Sequence, residues 1–364
     1  DGNGGFNQGR WPFDGMFGGY FDLTTRKDVQ VTENNCGWYG YRWSSTPCAN
    51  VGAIAIDRRD GAIYIGGNNK SRLPDGNPDF EPWVVAMDRD GALKWWSRLY
   101  PESKGVSTPD QYVDDLAIDY TAPLKADGAL VVVARAHGNN VNNFWTGNSI
   151  RHPANPKRSF QQQFTGTHGN MHYSWMGRMT ASDGTMLHAT YVAEYGEGSN
   201  HGDKRFQEPL LKHWPHFLSG WPNLNTTRVR ALALDAQGRP FIAAQGRRVI
   251  TTRNAFQNMP SPLEDPGKNG VWSDFVRVYR QDLTTIDYSS LLTGAWDWDT
   301  GKGGSEVVLE AVLPLGNGAL VVGHAPLGKS GQPEGNNMPT RNVPAWGRAQ
   351  RTGEMGVLAR MSFG

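Results

Sequence analysis

A unit of four short apolar segments repeats along this sequence, always in the same order, and this repeat limits the possible folds more than any other feature. In the first copy, VGAIAIDRRDGAIYIGG begins at Val51 and WVVAMDRDGALKWWSRL begins at Trp83. A D-G turn joins the first segment to the second, and another joins the third to the fourth. The pattern predicts antiparallel β-strands, labelled A to D, at about 52–57, 62–67, 83–88 and 92–98.

Three further copies follow in the same order. They start near Leu116, Val229 and Val307, and their second halves start near Ser174, Asp274 and Gly356. The last copy reaches only GVLARMSFG and lacks a strand D. Because an open apolar sheet edge promotes aggregation, we predict that an N-terminal strand, Gly19–Thr25 or Val29–Thr32, closes the last sheet.

The first strand of three copies ends in aspartate, at Asp57, Asp119 and Asp235. Four-stranded repeats of this kind resemble the blades of a β-propeller, as found in repeat-built propellers of secreted bacterial proteins. The resemblance covers about residues 51–364 and implies an all-β fold with four recognisable blades. A fifth blade within 1–50 or 196–227 stays open, and so does a two-sheet sandwich of about 16 strands. The resemblance is architectural, so it implies no catalytic residue.

Residues 1–50 are predicted to hold the closing strand and a cysteine-containing loop, with 51–364 forming the propeller of a single domain. We expect Cys36 and Cys48 to form a disulfide that stabilises this loop by about 3 kcal/mol; two free thiols are the alternative. The start at Asp1 without Met is consistent with signal-peptide removal or with trimming, and an oxidising compartment permits the disulfide.

The charge balance argues against two classes of partner. The chain has 36 Lys and Arg residues against 35 Asp and Glu residues, with a net charge of +1. The basic residues are scattered, which argues against binding to nucleic acid or to an anionic membrane surface. No apolar run approaches the about 20 residues that a membrane-spanning helix needs.

Long connections are predicted on one face only. The B-to-C connections run at 68–82, 138–173, 246–273 and 326–354, and the D-to-A connections at 100–113, 196–227 and 294–305. Long loops without secondary structure are uncommon unless they bind or catalyse. We therefore expect a ligand face there, with stacking platforms drawn from Trp145, Trp175, Trp214, Trp221 and Trp296. Local packing of the loops is the other interpretation of these tryptophans.

A candidate catalytic group lies where strands B and C of the second copy meet this face. His137, His172, Tyr173 and Arg135 offer a base, an acid and a charge neutraliser for chemistry beside a uronic acid carboxylate. The alternative is that the histidines fix a long loop by hydrogen bonds. The same segment contains Met thioethers, so copper is a weaker alternative.

Two carboxylate groups are also candidates. Asp297, Asp299 and Glu306 resemble the start of a calcium loop, although Gly301 and the closing Glu depart from the EF-hand spacing. Asp114 and Asp115 are predicted to precede strand A of the second copy, where they suggest a glycosidase pair with Glu194 and Glu197. Solvated loops are the alternative for both groups.

The sequence thus predicts a secreted, cell-surface or periplasmic β-propeller that binds an extracellular ligand, a glycan by preference, through its long-loop face. One alternative is a polysaccharide lyase or hydrolase on the same face. Another is a structural protein that assembles with itself or within a larger complex. Fold alone does not choose among them, and whether the protein is an enzyme is left open.

Overall fold

The computed structural model describes residues 21–22, 27–28, 49–72, 78–99, 110–121, 129–137, 159–161, 172–192, 206–207, 227–246, 249–257, 273–292, 296–297, 302–303, 308–327 and 353–363. All regular structure in these ranges is β-strand, which agrees with the predicted all-β class. This part of the chain contains no helix long and apolar enough to cross a membrane.

In chain order the strands are β1 (Phe21–Asp22), β2 (Lys27–Asp28), β3 (Ala49–Ile56), β4 (Ile63–Arg72), β5 (Pro78–Met87), β6 (Leu93–Arg98), β7 (Asp110–Ile118), β8 (Leu130–His137), β9 (His172–Met179), β10 (Met186–Val192), β11 (Phe206–Gln207), β12 (Thr227–Leu234), β13 (Pro240–Gly246), β14 (Thr251–Thr252), β15 (Ser273–Tyr279), β16 (Ile286–Leu291), β17 (Trp296–Asp297), β18 (Lys302–Gly303), β19 (Val308–Pro314), β20 (Gly318–Leu327) and β21 (Gly353–Ser362). Sheet 1 is β3-β4-β5-β6, sheet 2 is β7-β8-β9-β10, sheet 3 is β12-β13-β15-β16 and sheet 4 is β19-β20-β21. Short antiparallel pairs join β1 to β2, β11 to β14 and β17 to β18. The predicted A-B-C-D order is therefore confirmed within sheets 1 to 3.

The first B-to-C connection is shorter than the sequence predicted. The predicted loop 68–82 is mostly strand, because the ladder between β4 and β5 continues from Asn68 opposite Pro82 to Arg72 opposite Pro78. Main-chain hydrogen bonding does not depend on apolar side chains, so the polar sequence there concealed the longer hairpin.

Aspartate and a left-handed residue shape the short turns. In the turn after β5, Asp88 accepts the backbone N–H groups of Asp90 at 2.9 Å and Ala92 at 2.8 Å. Gly91 has a φ of 86°, which a residue without Cβ adopts at no steric cost. The turn between β15 and β16 differs, because Leu283 takes this conformation with a φ of 59° while its side chain is fully buried.

The sheets pack against one another in chain order. Core 1 lies between sheets 1 and 2, core 2 between sheets 2 and 3, and core 3 between sheets 3 and 4. The first strands adjoin: β3 packs on β7, β7 on β12 and β12 on β19. At two junctions, a side chain of one sheet accepts a hydrogen bond from a backbone N–H on the first strand of the next sheet. Ser174 Oγ accepts the N–H of Val229 at 3.1 Å, and Asp274 accepts that of Leu309 at 3.2 Å.

Parts of two long connections return to the cores. Phe160 is buried in core 2, and its N–H donates to the carbonyl of Leu283 at 2.8 Å. Val249 and Ile250 are buried in the same core. These segments of the predicted loops 138–173 and 246–273 therefore pack into the core between sheets 2 and 3.

The closing strand of sheet 4 stays a prediction. Among the described strands, β21 pairs with β20 alone. Phe21–Asp22, within the proposed closing strand Gly19–Thr25, pairs with Lys27–Asp28. The second candidate, Val29–Thr32, lies outside the described residues, as do Cys36 and Cys48.

Candidate functional site

The first strand of every sheet contains a β-bulge at a matching position. The bulged residues are Gly52 in β3, Asp114 in β7, Arg230 in β12 and Glu310 in β19. A bulge adds one residue to a strand and redirects its side chain. Each bulge lies at the middle of its strand or nearer the start, where the D-to-A connections enter. Three of the four place a charged group there, although the surrounding strand is largely apolar.

We name the group around these bulges the first-strand charge cluster. It consists of Asp114, Arg135, Arg228, Arg230, Glu310 and His324. Its members come from the first and second strands of sheets 2, 3 and 4. Three guanidinium groups thus accompany the two carboxylates of the cluster along the line where the first strands adjoin, and the neighbouring Asp115 adds a third carboxylate there.

Asp114 and Arg135 form the sheet 2 part of the cluster. Arg135 Nε lies 3.2 Å from Asp114 Oδ1, with side-chain exposures of 25% and 19%. The guanidinium carbon of Arg135 also lies 5.2 Å from the ring centre of Tyr112. Burial raises the pKa of Asp114 to about 7, while Arg135 and Arg228 oppose that shift and Asp115 adds to it. At neutral pH this carboxyl group therefore exists in both protonation states, so it can donate or accept a proton.

The part of the cluster in sheets 3 and 4 is more exposed. Arg230 Nη1 lies 3.6 Å from Glu310 Oε1, and His324 Nδ1 lies 3.8 Å from the same oxygen. Arg230 Nη2 also donates to Gln245 Oε1 at 3.2 Å. Glu310 is about half exposed and His324 somewhat less. A ligand approaching from solvent can therefore reach these groups.

Asp115 has a structural role despite its position beside Asp114. Its carboxylate accepts the N–H of Leu232 in sheet 3 at 2.9 Å and that of Leu116 at 2.8 Å. Asp114 and Asp115 lie inside β7 and not before it, which corrects their predicted placement. Because of the bulge, Asp115 accepts backbone hydrogen bonds while the consecutive Asp114 pairs with Arg135. Glu194 and Glu197, their proposed partners, lie outside the described residues.

The strand ends of the predicted catalytic group meet as expected. His137 lies opposite His172 in the ladder between β8 and β9, and Arg135 lies opposite Ser174. Tyr173 was predicted to act beside Arg135 on the ligand face, and this was wrong. Tyr173 lies opposite Ala136, and both belong to core 1. Since side chains alternate along a strand, Arg135 lies on the opposite face of sheet 2.

The environment of Tyr173 is that of an interior residue. Its side chain is 1% exposed, and its ring centre lies 5.7 Å from that of Tyr191 in an edge-to-face arrangement. Burial raises the pKa of the Tyr173 hydroxyl well above its ordinary value, with a further contribution from Tyr191. A proton is therefore not released from this hydroxyl near neutral pH.

The predicted aromatic platforms are described only in part. Trp175 is fully buried, and its Nε1 donates to Gln111 Oε1 at 3.0 Å, so the prediction that it stacks on a ligand is corrected: the ring fills core 1. Trp296 lies in the short strand β17 opposite Gly303. Trp145, Trp214 and Trp221 lie outside the described residues.

The metal predictions stay open. Asp297 lies opposite Lys302 in the β17–β18 hairpin, whereas Asp299 and Glu306 fall outside the described residues. Within the part of the chain that is described, no group of three or more His, Cys, Asp or Glu residues is placed to hold a metal ion. Calcium and copper therefore remain sequence-based predictions.

Most of the charge cluster was missed by sequence reasoning, which named Arg135 and Asp114 for other roles. The signal was present in the repeats. Val113-Asp114, Val229-Arg230 and Leu309-Glu310 put a charged residue after the same apolar position in three copies. Aligning the copies with one another, and not only reading their turns, reveals this recurrent interruption.

The effect of the Asp114 carboxyl group on the pH dependence of stability is testable. Because the pKa of Asp114 is higher in the folded protein than its ordinary value of 3.8, the folded state holds this proton more tightly. That contribution to stability is fully present below pH 3.8 and is lost as the pH rises to about 7. We expect the free energy of unfolding of the parent to fall between these pH values relative to that of Asp114→Asn. Urea unfolding across this range measures the difference, and parallel pH profiles would contradict the assignment.

No family model matches this chain, and no curated protein matches it. Among solved structures it is similar to a quinohemoprotein alcohol dehydrogenase from Pseudomonas putida, with 11% identity over 86% of this chain and a TM-score of 0.30. It is also similar to a proposed glycoside hydrolase from Parabacteroides distasonis, with 8% identity over 79% of this chain and a TM-score of 0.26. The chain spans 60% and 65% of those two proteins. The scores are low, and no property of either protein is transferred to this chain.

Proposed function

We propose that sheets 1 to 4 are blades of a β-propeller and that the protein binds a glycan at the long-loop end of these blades. Two observations support the radial arrangement. The sheets pack in chain order, and their first strands adjoin one another, as the inner strands of blades do. The long connections leave the end toward which the bulges lie, so a ligand held by the loops also meets the first-strand charge cluster.

The cluster favours an acidic glycan. Arg135, Arg228 and Arg230 supply three guanidinium groups, which match the geometry of carboxylates. They face the carboxylates of Asp114, Asp115 and Glu310, and Asp114 is about half protonated at neutral pH, so a small excess of positive charge remains. This excess of positive charge suits a uronic acid, and the remaining oxygens of Asp114 and Glu310 suit sugar hydroxyl groups. The excess of positive charge at this position carries the proposal. The proposal includes a secreted, cell-surface or periplasmic location for the protein.

Isothermal titration calorimetry with two oligosaccharides tests this function. We expect trigalacturonate to bind the parent protein and cellotriose, its neutral counterpart, to bind at least tenfold more weakly. The trigalacturonate affinity should fall as salt is added, because ionic contacts at partly exposed groups are screened. Equal binding of the two sugars, or no binding of either, would reject the acidic-glycan proposal.

Catalysis is a second candidate, which the raised pKa of Asp114 favours. A carboxyl group that titrates near neutral pH beside an arginine suits general acid–base catalysis on a polysaccharide. Incubation with polygalacturonate distinguishes the two functions. New absorbance from an unsaturated product indicates a lyase, new reducing ends without that absorbance indicate a hydrolase, and unchanged polymer leaves binding alone. Asp114→Asn is expected to abolish either reaction.

A further inference from the structure

The carboxyl group of Asp114 is only partly satisfied by its surroundings. Its Oδ1 lies 3.2 Å from Arg135 Nε. Its Oδ2 is buried and accepts no hydrogen bond within the described part of the chain. A buried carboxylate oxygen without a donor is unfavourable, and a proton on the group relieves that cost. The position therefore tolerates a neutral Asp114, although the neighbouring guanidinium favours the charged form.

The charged groups that act on Asp114 come from three strands. Arg135 on β8 and Arg228 on β12 favour a negative charge there, whereas Asp115 on β7 opposes it. From sheet 1, β3 packs on β7 and contains no ionisable residue. Among the side chains that the structure describes in β4 and β5, one is ionisable, and it is the core 1 residue Tyr64. A change in the charge of Asp114 therefore acts mainly on the two guanidinium groups.

Asp114 and an acidic ligand need the same guanidinium. Arg135 pairs directly with Asp114, and a quarter of its side chain is exposed to solvent. The other ion pairs of the cluster join Arg230 and His324 to Glu310. A ligand carboxylate that binds Arg135 must therefore share it with the carboxyl group of Asp114. Because like charges at such a distance repel each other, an ionised Asp114 opposes this binding and a neutral one does not.

We propose that Asp114 is an internal competitor of the acidic glycan: when ionised it holds the guanidinium of Arg135, and when it takes up a proton from solvent it releases that guanidinium to a ligand carboxylate. The inference rests on the proposed function and adds a regulation of the same site. Burial raises the pKa of Asp114 to about 7, so the change falls near neutral pH. A neutral carboxyl group can also donate its O–H to the bound carboxylate. The site therefore binds acidic glycans more tightly in mildly acidic surroundings.

Calorimetry with trigalacturonate at two pH values tests this competition. The ligand carboxylates stay ionised from about pH 6 to about pH 9, whereas Asp114 loses its proton. We expect the parent to bind about tenfold more weakly at the higher pH, which corresponds to a rise of about one unit in the pKa of Asp114 on binding. Asp114→Asn keeps a neutral side chain of the same shape, so it should bind at both pH values as the parent does at the lower one. Asp235→Asn, which removes a carboxylate from the pair with Arg239 at the short-turn end, is the matched control and should follow the parent.

A second measurement uses the parent alone. Titration at about pH 7.5 in two buffers of different ionisation enthalpy counts protons, and we expect uptake of about half a proton per trigalacturonate bound. Binding without proton uptake, or with an affinity independent of pH, would overturn the inference and leave the proposed function intact. A pH dependence that persists unchanged in Asp114→Asn would also overturn it and would direct attention to His324, the histidine of the cluster. No binding at either pH would reject the proposed function and this inference with it.

Discussion

Replacement of Asp119 by alanine is expected to lower the free energy of unfolding by about 3–5 kcal/mol, the usual cost of leaving one partner of a buried ion pair alone. Asp119 is fully buried and pairs with Arg178, which is 4% exposed. Its carboxylate also accepts hydrogen bonds from Gln281 Nε2 at 2.9 Å and from the N–H of Thr121 at 2.8 Å. Because Gln281 lies in the turn between β15 and β16 of sheet 3, the loss weakens the junction between sheets 2 and 3 as well as the turn after β7.

The charge left behind explains the size of this effect. Burial lowers the pKa of Arg178 to about 10, so the guanidinium is still charged at neutral pH. Among the described residues, Arg178 would keep a hydrogen bond from Nη1 to the carbonyl of Gly238 at 3.3 Å and the weaker attraction of Asp282. Arg178→Met should therefore cost less stability in the Asp119→Ala background than in the parent, because it removes an unpaired buried charge.

Asp235→Ala is the matched control for this prediction. Asp235 directly follows the first strand of sheet 3 as Asp119 directly follows that of sheet 2, but its partner Arg239 is 31% exposed. We expect its loss to cost about 1–2 kcal/mol, mainly from the hydrogen bonds of the turn. Urea unfolding of the three proteins measures the difference. Equal losses for the two alanine variants would show that the Asp119–Arg178 pair has no special part in the junction.

Gly52→Ala is expected to be the second large loss, about 3 kcal/mol, at the upper end of what overpacking costs. A Cβ on Gly52 would overlap the carbonyl oxygen of Val113 in sheet 2. That oxygen belongs to the backbone of β7 and cannot rotate away, so sheets 1 and 2 must separate. The bulge position of β3 therefore requires glycine because of close approach to the next sheet.

Gly356→Ala supplies the control for a strand glycine. Gly356 lies in β21, and a Cβ there would have no heavy atom within 4 Å. Alanine is favoured over glycine in a strand by about 0.5–1 kcal/mol, so this variant should be slightly more stable than the parent. In thermal melts, we expect Gly52→Ala to lower the melting temperature and Gly356→Ala to raise it slightly. A neutral Gly52→Ala would contradict the close packing of β3 on β7.

The sequence predicted the strands within each sheet well, because turns and alternating strands depend on residues that are close together in the chain. The D-G turns and alternating apolar segments predicted the order of strands; β6 lies close to its expected position, whereas β5 begins about five residues earlier than predicted. The turn before β16 was not predictable in this way. Leu283 takes the left-handed backbone conformation that glycine takes in other turns, and its burial in core 2 holds it there.

Relations between sheets were less accessible to the sequence. Tyr173 and Arg135 were placed together because their strand ends meet, but the register puts them on opposite faces of sheet 2. Predicting that requires the pairing of Tyr173 with Ala136, which no local pattern specifies. Phe160 is a similar case, because a single apolar residue inside a long loop does not reveal which core it enters.

The most direct test of the account compares two arginine variants in trigalacturonate binding. Arg135→Gln removes a guanidinium from the first-strand charge cluster. Arg239→Gln removes one that pairs with Asp235 at 2.7 Å, at the opposite, short-turn end of the sheets. The account predicts a dissociation constant about 10- to 100-fold higher for Arg135→Gln, as expected for losing a charged hydrogen-bond donor, and an unchanged one for Arg239→Gln. Unchanged binding by Arg135→Gln, or equal losses in both variants, would contradict a binding site at the cluster.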